Sequence, residues 1–92
     1  MVKYELHTTS QYRKDRKRAK KRGLDMGLLD DVIQRLIEGK TLDPKFDDHA
    51  LTGNYDGFRE CHIQNDWLLI YARDNGQLVL VVTRTGTHSD LF

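Results

Sequence analysis

FRECHIQNDWLLIYARDNGQLVLVVTRT, residues 58–85, contains three runs rich in apolar, β-branched and aromatic residues: FRECHIQ, WLLIYAR and QLVLVVTRT. Runs of this length and composition read as strands. Between them stand only Asn65-Asp66 and Asp74-Asn75-Gly76, gaps short enough, and of the right residue types, for hairpin turns. The C-terminal half is therefore expected to form an antiparallel meander with alternate residues on opposite faces. In the first run Arg59 shares a face with Cys61 and Ile63, so it must either cap the sheet edge or pair with an acid.

Upstream, VKYEL (residues 2–6) alternates apolar and polar residues and reads as a further strand, with Val2, Tyr4 and Leu6 on one face. Thr8, Thr9 and Ser10 offer N-cap oxygens to a helix running to about Arg22. Its apolar stripe holds only Tyr12 and Ala19, helped by the alkyl stem of Arg16. After Gly23, Asp25 can cap a second helix, in which Leu29, Val32, Ile33 and Leu36 share a face and Gly39 supplies the stop. Residues 40–56, KTLDPKFDDHALTGNYD, show no period and read as a long connection of the kind that is often functional. The order β-α-α-β-β-β predicts an α+β domain spanning residues 1–92, with two N-terminal helices packed on a four-stranded, mainly antiparallel sheet.

The totals narrow the function classes. A chain of 92 residues suits one compact domain. The single cysteine, Cys61, excludes an intrachain disulfide and a thiol zinc cluster, which points to a reducing cytoplasm. No apolar run is long enough to span a membrane, and MVKYELHTTS lacks a signal-peptide pattern, so no membrane partner is expected. Net charge is +1, but residues 1–22 hold nine Lys or Arg against two acids while residues 23–92 hold six against twelve. Such asymmetry suits a polyanionic partner, with Lys17, Arg18, Lys20 and Lys21 as phosphate contacts.

Chemistry-bearing residues gather in the C-terminal half. His49 lies in DDHAL, His62 in RECHIQND and His88 in TGTHSD, while the closing RTGTHSDLF places Arg84, His88 and Phe92 at four-residue intervals. Imidazole serves as acid or base near neutral pH. No two histidines have the H-x3-5-H spacing of a zinc site, so neither metal nor cofactor is expected. Asp66 and Trp67 sit at a turn, where a proton acceptor and a flat ring would suit a nucleotide.

These segments resemble the YafQ-type toxins of the RelE/ParE superfamily, the toxic half of bacterial type II toxin-antitoxin pairs. DHxLxG, RECHI-x-x-DW-x-L-I-Y and RTGTHS-x-LF together carry the resemblance, which runs over nearly the whole chain. It implies a RelE-like fold and a ribosome-dependent endoribonuclease that cuts messenger RNA in the ribosomal A site. It also implies silencing by tight complex formation with a cognate antitoxin. His49, His62, Asp66, Trp67, Arg84, His88 and Phe92 fall on the family's active-site positions, with His88 as general acid, Asp66 or a nearby histidine as base, Arg84 as charge stabiliser, and Trp67 and Phe92 as stacking rings. Metal-independent cleavage through the 2′-OH needs only two proton-transfer groups and a cation. Two other readings use the same fold: a ParE-like toxin that poisons gyrase by binding it, and an RNA-binding module without chemistry.

Overall fold

In the computed structural model, which describes residues 3–92, the expected meander forms as β3 (Arg59–Gln64), β4 (Trp67–Asp74) and β5 (Val79–Gly86), each antiparallel to the next. The sheet differs from expectation in having five strands and mixed direction, in the order β1-β5-β4-β3-β2. β1 (Glu5–Thr8) runs parallel to β5, and β2 (His49–Ala50) runs antiparallel to β3. Two paired residues are too few to leave a period in the sequence, which is why β2 reads as part of a connection. That connection also holds single 3-10 turns at Pro44–Phe46 and Gly53–Tyr55.

β1 starts later than its alternation suggests, and Val2 lies outside the described residues. Leu6, opposite Leu80, shares the helix-side face with Tyr4 as expected but is exposed on this edge strand, whereas Tyr4 packs against the core and its amide donates to the Ile37 carbonyl at 2.7 Å. Leu6 shows the limit of alternation at an edge, where only one neighbour fixes the strand's seat.

The helices follow their signals closely. α1 (Ser10–Lys21) is capped by the Thr9 hydroxyl, which accepts from the Tyr12 amide, and α2 (Met26–Ile37) by the Asp25 side chain, which accepts from the Gly27 amide. Gly23 takes φ +79° just past α1, a conformation with little cost only for glycine. Both helices cover one face of the sheet. Tyr12 and Ala19 from α1, and Leu29, Val32, Ile33 and Leu36 from α2, meet Cys61, Ile63, Trp67, Leu69, Tyr71, Leu80 and Val82. Truncating one of these, such as Leu36→Ala, would cost about 2–5 kcal/mol.

The other face is covered differently. Leu68 and Ile70 project there and are sealed by Leu91, Leu51, Tyr55 and Phe58, a small cluster under the tail. The tail itself is a third helix that the sequence pattern does not announce, α3 (His88–Leu91), held by a reciprocal Thr87–Asp90 capping box. β4 is thus buried on both sides from Trp67 to Tyr71.

Two irregularities re-aim side chains. Tyr71 pairs with Val82 and Ile70 with Arg84, leaving Thr83 as an extra residue in β5. His62 pairs with Leu68 and Gln64 with Trp67, leaving Ile63 as the extra residue in β3. A bulge switches the faces of everything beyond it. Val82 therefore faces the helices while Arg84 faces the side of Ile70. Among the described residues no helix is long and apolar enough to cross a membrane.

Candidate active site

Sheet register assembles the site on the face away from α1 and α2. His49 pairs with Glu60, Glu60 with Ile70 and Ile70 with Arg84, forming one cross-strand row. His62, Leu68 and Gly86 form the adjacent row. Cross-strand partners share a face, so two histidines, a carboxylate and an arginine emerge together around Leu68 and Ile70. α3 supplies the third histidine by folding back with Leu91 on that same apolar pair.

The imidazoles stand in sequence across the surface. The His49 and His62 ring centroids are 6.3 Å apart, those of His62 and His88 6.0 Å, and those of His88 and Phe92 6.2 Å. Tyr55 meets Phe92 edge-on at 5.5 Å. The four-residue spacing of His88 and Phe92 is thus one helical turn, but Arg84 to His88 spans a strand–helix junction.

Each outer histidine has one ring nitrogen committed. His88 Nδ1 lies 2.6 Å from Asp66 Oδ1, and the same oxygen accepts the His88 backbone amide at 3.0 Å. Those two bonds, the amide's first, hold the Asp66 carboxyl below its usual pKa, so it is an anion at neutral pH. His49 Nδ1 lies 2.6 Å from the Asp47 carbonyl. A carbonyl only accepts, so this nitrogen carries a proton and the neutral ring keeps its lone pair on Nε2. That Nε2 and the Nε2 of His62 face one buried carboxylate oxygen, Glu60 Oε1, at 3.5 and 3.4 Å.

Arg84 is held by a residue that sequence pattern alone does not single out. Asp15, buried in the middle of the most basic helix, accepts from Arg84 Nε at 2.7 Å, Arg84 Nη2 at 3.3 Å and the Thr85 amide at 3.2 Å. Gln11 and Arg18 also donate to it, at 3.1 and 3.0 Å. Burial alone would raise its pKa, but the bonds from Arg84, Gln11 and Thr85 together bring it below the ordinary value. The guanidinium reaches Asp15 past the end of β1, which pairs with β5 only as far as Val82. Its Nη1 amino group takes no part in this pairing.

The α3 turn is fixed from the same side. Arg22 Nη1 donates to Asp90 Oδ2 at 2.7 Å, and Arg18 lies 3.8 Å from it. Arg22 and the Thr87 amide hold the Asp90 carboxyl far below the carboxylate range. Gly86 sits so close that a Cβ there would lie 2.9 Å from the Asp90 Cβ. The absent side chain is needed for that packing.

Several expectations require correction. Trp67 is only 3% exposed, packed in the helix-side core with its indole N–H donating to the Thr85 hydroxyl at 3.0 Å, so its ring cannot stack on a base. Lys17, Lys20 and Lys21 keep the exposure that phosphate contact requires, at a distance from the histidines, since α1 lies across the sheet from them. Arg18 is engaged by two carboxylates. The spacing argument against metal also misses a grouping, because Glu60, His62 and His88 offer ligand atoms within 4.8 Å of one another through register and not through an H-x3-5-H motif. Phe92, by contrast, presents an open ring, 62% exposed.

Glu60 and Asp15 each carry a signal. Glu60 precedes His62 by two, the same-face interval of a strand. Asp15 lies between Tyr12 and Ala19 at helical spacing, on their stripe, while Arg16 beside it donates to the Tyr12 hydroxyl at 3.4 Å and pairs with Asp30 at 2.8 Å. Arg59 resolves as the partner of an acid, donating to Asp48 at 3.1 Å beside the Tyr71 hydroxyl, which donates to the same oxygen.

Comparisons with known proteins find relatives that match over nearly the whole chain. The family model for YafQ, bacterial toxin of type II toxin-antitoxin system, matches residues 4–92. The mRNA interferase toxin YafQ of Escherichia coli strain K12 is 38% identical over 93 residues, covering 100% of this chain and 99% of that protein. The E. coli DinJ-YafQ toxin-antitoxin complex superposes with a TM-score of 0.90 at 37% identity, over 99% of each chain. A metal-bound toxin from Helicobacter pylori also gives 0.90, at 38% identity over 97% of this chain and 99% of that one. The chain belongs to the YafQ family of bacterial toxins of type II toxin-antitoxin systems.

Proposed function

We propose that this toxin is an endoribonuclease that cuts messenger RNA in the ribosomal A site in the cytoplasm and is silenced by a cognate antitoxin. The observation carrying the reading is the row of three imidazoles, whose outer members each have Nδ1 tied to an acceptor. His49 Nε2 takes the proton of a 2′-OH, and that oxygen attacks the adjacent phosphorus. The phosphorus–O5′ bond breaks as His88 Nε2 delivers a proton to the leaving oxygen, giving a 2′,3′-cyclic phosphate and a 5′-hydroxyl. Asp66 orients the acid, and Glu60 balances the imidazolium formed at the base. That makes Asp66 a positioning residue in preference to the base.

His62, between the two, and Arg84, through Nη1, face the phosphorane oxygens. Phe92 supports a base by stacking. The reaction needs no metal in this scheme, and a cation held by Glu60, His62 and His88 would displace the proton that His88 delivers. The curated E. coli relative is named an mRNA interferase, and another solved relative is a complex with DinJ; both support the reading. Translating ribosomes incubated with the toxin, with mRNA 5′ ends mapped, test it: 5′-hydroxyl ends at the A site are expected. Intact mRNA under translation arrest would return the protein to a binding-only toxin.

A further inference from the structure

β2 covers β3 only at Arg59 and Glu60, so the outer edge of β3 from Cys61 onward is unpaired. Along that edge, between α2 and the 3-10 turn at Pro44–Phe46, runs a groove of about 580 Å³. It begins at His62 and is lined by Leu28, Lys45, Phe46, Gln64 and Asn65. The bulge at Ile63 produces this continuity, since His62 stays on the histidine face while Gln64 turns toward α2.

The lining has the parts that a nucleotide requires. Phe46 is half-buried against the core, and its ring carries the Lys45 ammonium 5.2 Å from the centroid. That cation–π contact is at an exposed site and weak enough to exchange for a phosphate. Gln64, the last residue of β3, and Asn65, in the turn to β4, are both exposed. Each amide combines a donor and an acceptor, the pair needed to read a base edge. The volume matches a site for one small ligand and not a protein interface. Trp67 is buried, so stacking on this flank must come from another ring.

We propose that this groove is a base-reading subsite for the nucleotide flanking the scissile phosphate on the His62 side. Phe46 stacks the base, Gln64 and Asn65 select it, and Lys45 pairs with its phosphate. Phe92 serves the opposite flank. The inference rests on the endoribonuclease reading, and its test has two arms so that the two can fail separately.

The first arm maps cleavage across codons on programmed ribosomes for wild type and Gln64→Ala/Asn65→Ala. Both residues are exposed and lie outside the core. The ratio of best to worst cleaved codon should fall roughly tenfold or more in the variant. A bias retained in full, or no bias in wild type, overturns the subsite. The second arm titrates His88→Gln protein with 2′-O-methyl trinucleotides of each central base and follows backbone amide shifts. Perturbations centred on Lys45, Phe46, Gln64 and Asn65 that differ between bases support it; perturbations confined elsewhere overturn it. If wild type fails to cut at all, the proposed function falls and the titration alone decides the groove.

Discussion

The two faces of the sheet are made by the same strands yet obey different rules. Toward α1 and α2, alternate residues are apolar and interlock in a continuous core. Away from them, Leu68 and Ile70 form an apolar island ringed by His49, Glu60, His62, Arg84 and His88. One face is selected for burial and the other for what it leaves exposed. Substitutions should divide accordingly, with those on the histidine face costing rate and those on the helix face costing stability.

The largest effect expected is on rate. His88→Gln keeps a hydrogen-bonding side chain for Asp66 but removes the transferable proton. Single-turnover cleavage on saturating ribosome complexes should fall by about 100-fold to 10,000-fold, or roughly 3 to 5 kcal/mol of barrier, with little change in Tm. A variant that cuts within about threefold of wild type would break the division.

Asp15 blurs the division, because it is buried on the helix side yet grips the arginine of the other face. Asp15→Ala should cost about 3 kcal/mol of stability, since it leaves Arg84, Arg18 and the Thr85 amide without their shared acceptor. Chemical denaturation measures that loss directly. Cleavage measured well below the variant's Tm should fall as well, through Arg84. A stable variant with wild-type cleavage would show the grip to be dispensable.

Acid should act on both faces. Asp15, Asp66 and Asp90 all have pKa values lowered in the folded state. Their stabilisation is fully present above the unfolded carboxyl value near 4 and is lost as pH falls through the folded values. Tm should be level from pH 7 to about 5 and decline below about 4. Asp15→Asn should show a shallower decline than wild type, and an identical slope would place the acid sensitivity elsewhere.

The smallest effect concerns the outer surface of α1, which belongs to neither face. Replacing Lys17, Lys20 and Lys21 by Gln should weaken ribosome binding and flatten its salt dependence by up to about one unit of slope for each phosphate no longer neutralised. Cleavage at saturation should hold. Unchanged binding across a salt series would remove α1 from the RNA interface.

The same contrast explains what can be read without coordinates. Helix-side positions recur at fixed intervals, so Leu29, Val32, Ile33 and Leu36 announce their helix, and the three strands of the meander stand out by composition. His49, His62 and His88 are identifiable by type and by resemblance, but not as neighbours. Their proximity depends on a two-residue strand, two bulges and one turn of helix, none long enough to leave a period. Trp67 misleads for a different reason: it shares the helix-side face of β4 with Leu69 and Tyr71, but β4 is apolar and buried on both faces, so alternation marks neither. Glu60 and Asp15 are marked only by spacing, Glu60 two before His62 and Asp15 on the stripe of Tyr12 and Ala19, because the residue type itself gives no hint of burial.

Thr83 shows how much can rest on counting. Its carbonyl accepts the Thr9 hydroxyl at 2.7 Å, so the residue that caps α1 also pins the bulge. The strand can be thought of as having odd and even positions, and the extra residue exchanges them. Inserting a second residue beside Thr83 would therefore act less like a local change than like a frameshift within the fold. Either Arg84 would be driven toward the helices and Thr85 away from Trp67 and Asp15, or the strand would slip along both neighbours. Deleting Thr83, by contrast, would leave Val82, Arg84 and Thr85 opposite Tyr71, Ile70 and Leu69. Point changes in β5 can be graded in severity, whereas an added residue is a parity error.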